Sequence, residues 1–161
     1  MAHSFKLPLI ATLVLSCFAV QIARSNEPPA DLCSLLPATQ VSKTLGRTYE
    51  APQKSEAPRP FANTNTGTDC NYLAKGSKLW FRIYVDPSPS AAADLFAKLS
   101  KFYGTPTKVS GLGDEAYFDE QHALHVRKGK VRFYLNLDPI DSPATAEKQL
   151  TDLANSVIAQ L

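Results

Sequence analysis

The sequence predicts an α+β fold: an α/β/α sandwich around a mostly antiparallel sheet of about six strands, built from two similar α-β-β-β halves and closed by a C-terminal helix. Three observations predict it. Residues 78–86 alternate strictly, with Leu79, Phe81, Ile83 and Val85 set against Trp80, Arg82 and Tyr84, the period-two signature of a strand with one covered face. Residues 130–138 repeat the alternation with Val131, Phe133, Leu135 and Leu137. Each run leads into Asp-Pro, then Ser-Pro, then apolar residues at helical spacing, so that Lys78, Phe81, Asp86 and Pro87 recur 52 places later as Lys130, Phe133, Asp138 and Pro139. Shared order of this kind points to duplicated halves.

The elements follow in order. A first helix is expected over 37–45, because Pro37 suits the first helical position, Gly46 suits the left-handed residue after the last turn, and Val41 and Leu45 form one apolar edge. Residues 47–51 read as a short strand. Residues 52–67 hold three prolines and little that could enter a core, and read as a mobile surface loop. A strand over 68–74 and a turn at Lys75-Gly76-Ser77 lead into the first alternating strand. Ser88 as cap and Pro89 in the first turn open a second helix with a stripe of Ala92, Leu95, Phe96, Leu99 and Phe102. Residues 107–138 then read as three short strands joined by turns, with Gly111 and Gly113 bending the entry. Ser142-Pro143 opens the last helix, striped by Ala146, Leu150, Leu153, Ala154, Val157, Ile158 and Leu161.

The N-terminus reads as a processing segment and not as part of the fold. Residues 7–20 are apolar apart from Thr12 and Ser16, and Ala23-Arg24-Ser25 places small residues before a cut at Asn26, the build of a secretory signal peptide over residues 1–25. The apolar run of about 14 residues falls short of the ~20 that span a bilayer. Val14-Leu15-Ser16-Cys17 offers a second route, a loose lipobox in which Cys17 is lipidated, although the apolar run continues past it. The expected location is therefore secreted or periplasmic, with a lipid anchor as the lesser option. Removing residues 1–25 takes Lys6 and Arg24 from the 17 basic residues and leaves 15 against 15 acids. Such a balance offers nothing to nucleic acid or to an anionic membrane. Residues 26–161 form one domain, expected to be a monomer. Its two cysteines, Cys33 and Cys70, read as one disulfide in an exported chain. A pair of redox thiols is the alternative, though such pairs usually sit closer in sequence.

The chemical motifs are sparse. Gly111-Leu112-Gly113-Asp114 lacks the third glycine, the Lys-Ser/Thr pair and the following helix of a phosphate loop, and reads as a turn entering a strand. His122 and His125, three apart in a strand, point to opposite faces and cannot clamp one metal ion. Asp114, Glu115, Asp119 and Glu120 read as a solvated hairpin. No nucleophile stands beside a base, and neither catalytic residues nor a cofactor is expected. One face is unusual: Trp80, Arg82, Tyr84, Arg132 and Tyr134, with His125 and Arg127 on the neighbouring strand, interleave aromatic rings with cations. Such a face can hold an anionic or aromatic group or a partner's surface. Alternatively, a helix covers it and the side chains pack at the helix edge.

Several segments together carry a resemblance: Asp31-x-Cys33-Ser-Leu-Leu-Pro, Val41-x-x-x-Leu45-Gly46, Asp69-Cys70-x-Tyr72, Gly111-Leu-Gly-Asp-Glu-Ala-Tyr-Phe and Leu124-His-Val-Arg-Lys-Gly. In these the chain resembles exported bacterial lipoproteins and secreted proteins of unknown function, best known from actinobacteria. The resemblance covers residues 31–161. It implies a PsbP-like α/β/α sandwich and a disulfide joining the first helix region to the second strand, and it brings no catalytic residues. The expected function is a non-enzymatic envelope module that binds a partner protein or small ligand. An envelope enzyme such as a hydrolase and a purely structural accessory protein are the competing classes.

Overall fold

The computed structural model describes residues 27–62 and 64–161; the signal segment and Cys17 lie outside them. Three helices, α1 (Ala38–Leu45), α2 (Pro89–Phe102) and α3 (Pro143–Ile158), accompany seven strands: β1 (Gln53–Ala57), β2 (Gly67–Ala74), β3 (Ser77–Val85), β4 (Thr107–Lys108), β5 (Glu115–Phe118), β6 (Leu124–Lys128) and β7 (Val131–Asp138). They form one open sheet in the order β1-β2-β3-β7-β6-β5-β4, antiparallel throughout.

The sheet thus has seven strands where about six were expected. The strand expected at 47–51 is absent: Tyr49 is buried there and its hydroxyl shares a hydrogen bond with Ser77 Oγ at 2.7 Å. Instead β1 lies inside the segment expected to be a mobile loop. Its residues are exposed except Ala57, and Pro52 and Pro58 bracket it, as suits a short charged edge strand. At the other edge β4 has two residues, so residues 107–138 carry four strands, not three.

β3 and β7 meet in the middle of the sheet. Their register sets Phe81 against Leu135 and Ile83 against Phe133, and the Phe81 and Phe133 rings meet edge to face at 5.9 Å. Leu124 and Val126 of β6 share this face, and it packs on Leu150, Leu153 and Val157 of α3 and on Val41 and Leu45 of α1. Gly46, at φ 68°, closes α1, while Pro37 is its cap and not its first helical residue. Cys33, in a 3-10 turn at Leu32–Leu35, is disulfide-bonded to Cys70 of β2 with Cα atoms 5.7 Å apart. Closing a 37-residue separation stabilises the fold by about 3–4 kcal/mol on chain-entropy grounds. Tyr72, fully buried, donates its hydroxyl to the Leu36 carbonyl beside this link.

α2 lies on the opposite face. Ser88 Oγ caps it by accepting from Ala91 N at 3.1 Å, with Pro89 in the first turn. Ala92 and Phe96 are buried, but Phe102, expected in the buried stripe, is 75% exposed. Phe102 comes six residues after Phe96, about 240° around a 3.6-residue helix, at the margin of the stripe. Tyr103 comes seven residues after Phe96 and returns to the inward side.

Candidate functional site

Strand alternation delivers one row of side chains to the α2 face. Pairing aligns Asp69, Arg82, Tyr134, His125 and Tyr117 across five strands, and Tyr84, Arg132 and Arg127 across the next row. The Arg82 guanidinium holds the Asp69 carboxylate with bonds of 2.6 and 3.0 Å, and that bond raises the arginine above its ordinary value. Arg132 grips Asp86 in the same two-pronged way and lies 4.9 Å from the centre of the Tyr84 ring, a cation–π contact.

His125 sits at the centre. Its ring stacks on Tyr117 (4.6 Å, 15°) and is flanked by Tyr103 (4.8 Å) and Tyr134 (4.9 Å). His125 Nε2 lies 2.9 Å from Asp119 Oδ2. The other carboxylate oxygen accepts the amides of Gln121 and Ala123 at 2.9 and 3.0 Å. Burial pushes the Asp119 carboxyl up, but the His125 bond and the two amides outweigh it and hold the group below its ordinary value. Burial also raises the phenols of Tyr84, Tyr103, Tyr117 and Tyr134, which stay as hydroxyls.

Arg82, Tyr84, His125, Arg132 and Tyr134 floor a pocket of about 160 Å³. Phe96 and Leu99 of α2, with Tyr103 just after it, form one wall, and Pro58, Arg59 and Pro60 form the other. Tyr84 ties that second wall down by donating its hydroxyl to the Pro58 carbonyl at 2.8 Å. Five of the seven residues singled out in the sequence therefore converge. Two do not. Trp80 lies beyond the pocket under the Lys78 ammonium, 4.2 Å from its ring, and Arg127 is engaged by Asp114 and Glu115.

The hairpin acids are not merely solvated, as the sequence suggested. Asp119 is buried, Asp114 accepts the Gly129 amide at 2.7 Å and pairs with Arg127, and Glu120 accepts from Thr105. His122 turns away to Glu147, 2.8 Å off, so the two histidines share no site. No group of three or more His, Cys, Asp or Glu side chains fit to hold a metal occurs among the described residues. Tyr103, Arg59 and the role of Asp119 were missed in the sequence. Helical spacing from Phe96 carried a signal for Tyr103; nothing local marked Arg59.

The fold and pocket define an antiparallel α+β protein with a small aromatic and cationic cleft. No family model, curated protein or solved structure matches the chain.

Proposed function

We propose that this chain is an exported, non-enzymatic binding module of the cell envelope that holds a small ligand in the cleft under α2. The observation that carries the reading is the pocket itself: three arginines, three tyrosines and His125 around about 160 Å³. Cation-and-ring walls are suited to holding an anionic or aromatic group. Among the described residues the lining holds no Ser, Thr, Cys, Lys, Asp or Glu. Export is supported by the Cys33–Cys70 disulfide and by the leader-like N-terminus; no described helix is long and apolar enough to cross a membrane. The resemblance to exported bacterial proteins read from the sequence is in keeping with that placement. The sheet order, symmetrical about β3 and β7 except for the extra edge strand β4, supports reading the two halves as copies. They diverge in their helices, which leave for opposite faces.

A second reading is favoured by one contact. The buried Asp119–His125 pair has the form of an oriented base, so an envelope enzyme that draws a proton from its substrate is the competitor.

The test is a thermal-shift screen of a metabolite library against the purified protein and its Tyr103→Ala variant. Compounds that stabilise the first and not the second support the cleft. A screen without such compounds, together with a captured protein partner indifferent to Tyr103→Ala, overturns it. Chemical turnover of a hit, lost in His125→Gln, decides for the enzyme.

A further inference from the structure

We propose that the pocket takes a single-ring aromatic acid that presents an O–H or N–H donor to His125 Nδ1. The proposal rests on the cleft being the ligand site and names what occupies it.

Size sets the first limit. A cavity of about 150 Å³ lined by apolar side chains admits benzene, and this one is about 160 Å³. The rings of Tyr84, Phe96, Tyr103 and Tyr134 line it, so a flat ring finds stacking partners on its walls.

Charge sets the second. Arg82 and Arg132 are each committed to an aspartate, Asp69 and Asp86. Arg59 makes no ion pair among the described residues and is exposed at the mouth. One uncompensated cation calls for one negative charge.

The third limit comes from proton bookkeeping at His125. A carboxylate only accepts hydrogen bonds, so the nitrogen facing Asp119, Nε2, carries the ring proton. In the neutral imidazole the remaining nitrogen, Nδ1, is then an acceptor. Nδ1 has no hydrogen-bond partner among the described residues, in a side chain that is 7% exposed and lines the pocket. Tyr117, Tyr103 and Tyr134 pack around the ring and stop it from turning. A fixed acceptor in the pocket wall selects a donor, because a ligand that displaces water from it without supplying one leaves it unpaired.

The experiment is isothermal titration of the disulfide-bonded protein with 3- and 4-hydroxybenzoate and with their methyl ethers, at about pH 8. A hydroxybenzoate is expected to bind at least about tenfold more tightly than its ether, the cost of an acceptor that ligand binding cuts off from water and leaves unpaired. Arg59→Ala should weaken both alike, and His125→Phe should remove the discrimination. In the unsubstituted protein the His125 Nδ1 resonance should move with the phenols and not with the ethers. Equal affinity for phenol and ether, with both lost in Tyr103→Ala, overturns the donor assignment and leaves the cleft standing. Binding of none of the four overturns the ligand class. The cleft itself falls only if the metabolite screen also yields no compound sensitive to Tyr103→Ala.

Discussion

Arg132 on β7 reaches both carboxylate oxygens of Asp86, at 2.5 and 3.1 Å, and the two side chains are only 4% and 3% exposed. Asp86 follows directly on β3, and its amide also donates to the Lys130 carbonyl at 2.8 Å. Pro87 and the Ser88 cap come next. The pair therefore fixes the point at which the chain leaves the sheet for α2, and with it the wall that α2 gives the cleft.

Removing one partner strands a charge out of water. Asp86→Ala should cost about 3–5 kcal/mol, read as a lower urea midpoint. Replacing both partners with apolar residues, Asp86→Leu with Arg132→Met, should recover most of that loss. A double variant no more stable than Asp86→Ala would mean that the bonds themselves, and not the stranded charge, dominate.

Two phenylalanines of α2 should behave oppositely. Phe96, buried against Tyr117 with ring centres 5.0 Å apart, should cost about 3–5 kcal/mol on truncation to Ala. Phe102, 75% exposed, should change stability by no more than about 0.5 kcal/mol. Thermal or urea unfolding of both variants makes the comparison.

That contrast marks what could be read in advance. Strands β3 and β7 were legible because each side chain's face is written in a strict alternation, and the same alternation placed Arg82, Tyr84, Arg132 and Tyr134 together. β1 was not, because Gln53, Lys54, Ser55 and Glu56 are all exposed and an edge strand with nothing to bury leaves no period in its residues. The roles of Arg59 and Asp119 were hidden for another reason. Asp119 meets His125 around a turn, and Arg59 reaches the mouth of the pocket from a segment distant in the chain; local pattern carries no record of such meetings.

The two glycines at the entry to β5 should part company. Gly113, at φ 62°, would bring a Cβ to 2.5 Å from the Arg127 carbonyl oxygen, a backbone atom that cannot step aside. Gly111, at φ 75°, has open space around it. Gly111→Ala should cost about 1–2 kcal/mol for the left-handed backbone alone. Gly113→Ala should cost clearly more and should disturb the β5–β6 amides in a heteronuclear NMR spectrum.

Acid should loosen the structure from a predictable side. Asp119 and Asp114 are held below the ordinary 3.8: Asp119 by His125 and two amides against the pull of burial, Asp114 first by the Gly129 amide. A native value below the unfolded one contributes stability that is complete above about pH 4 and is lost as pH falls through the native values. Urea midpoints should therefore drop below about pH 4. Asp119→Asn, which can no longer gain or lose that proton, should flatten the drop. An unchanged acid limb in Asp119→Asn would remove Asp119 from the account.

The two faces of the sheet are dressed unequally. One lies under two helices and holds the greasy interior, while the other lies under a single helix and a proline-braced strap. The larger share of the apolar core thus lies on one side, and on the other only the rim is at liberty to vary. Residues 58–60 and Tyr103, at the rim, can be exchanged to suit a different guest with little consequence for the scaffold, whereas Phe96 beneath them cannot.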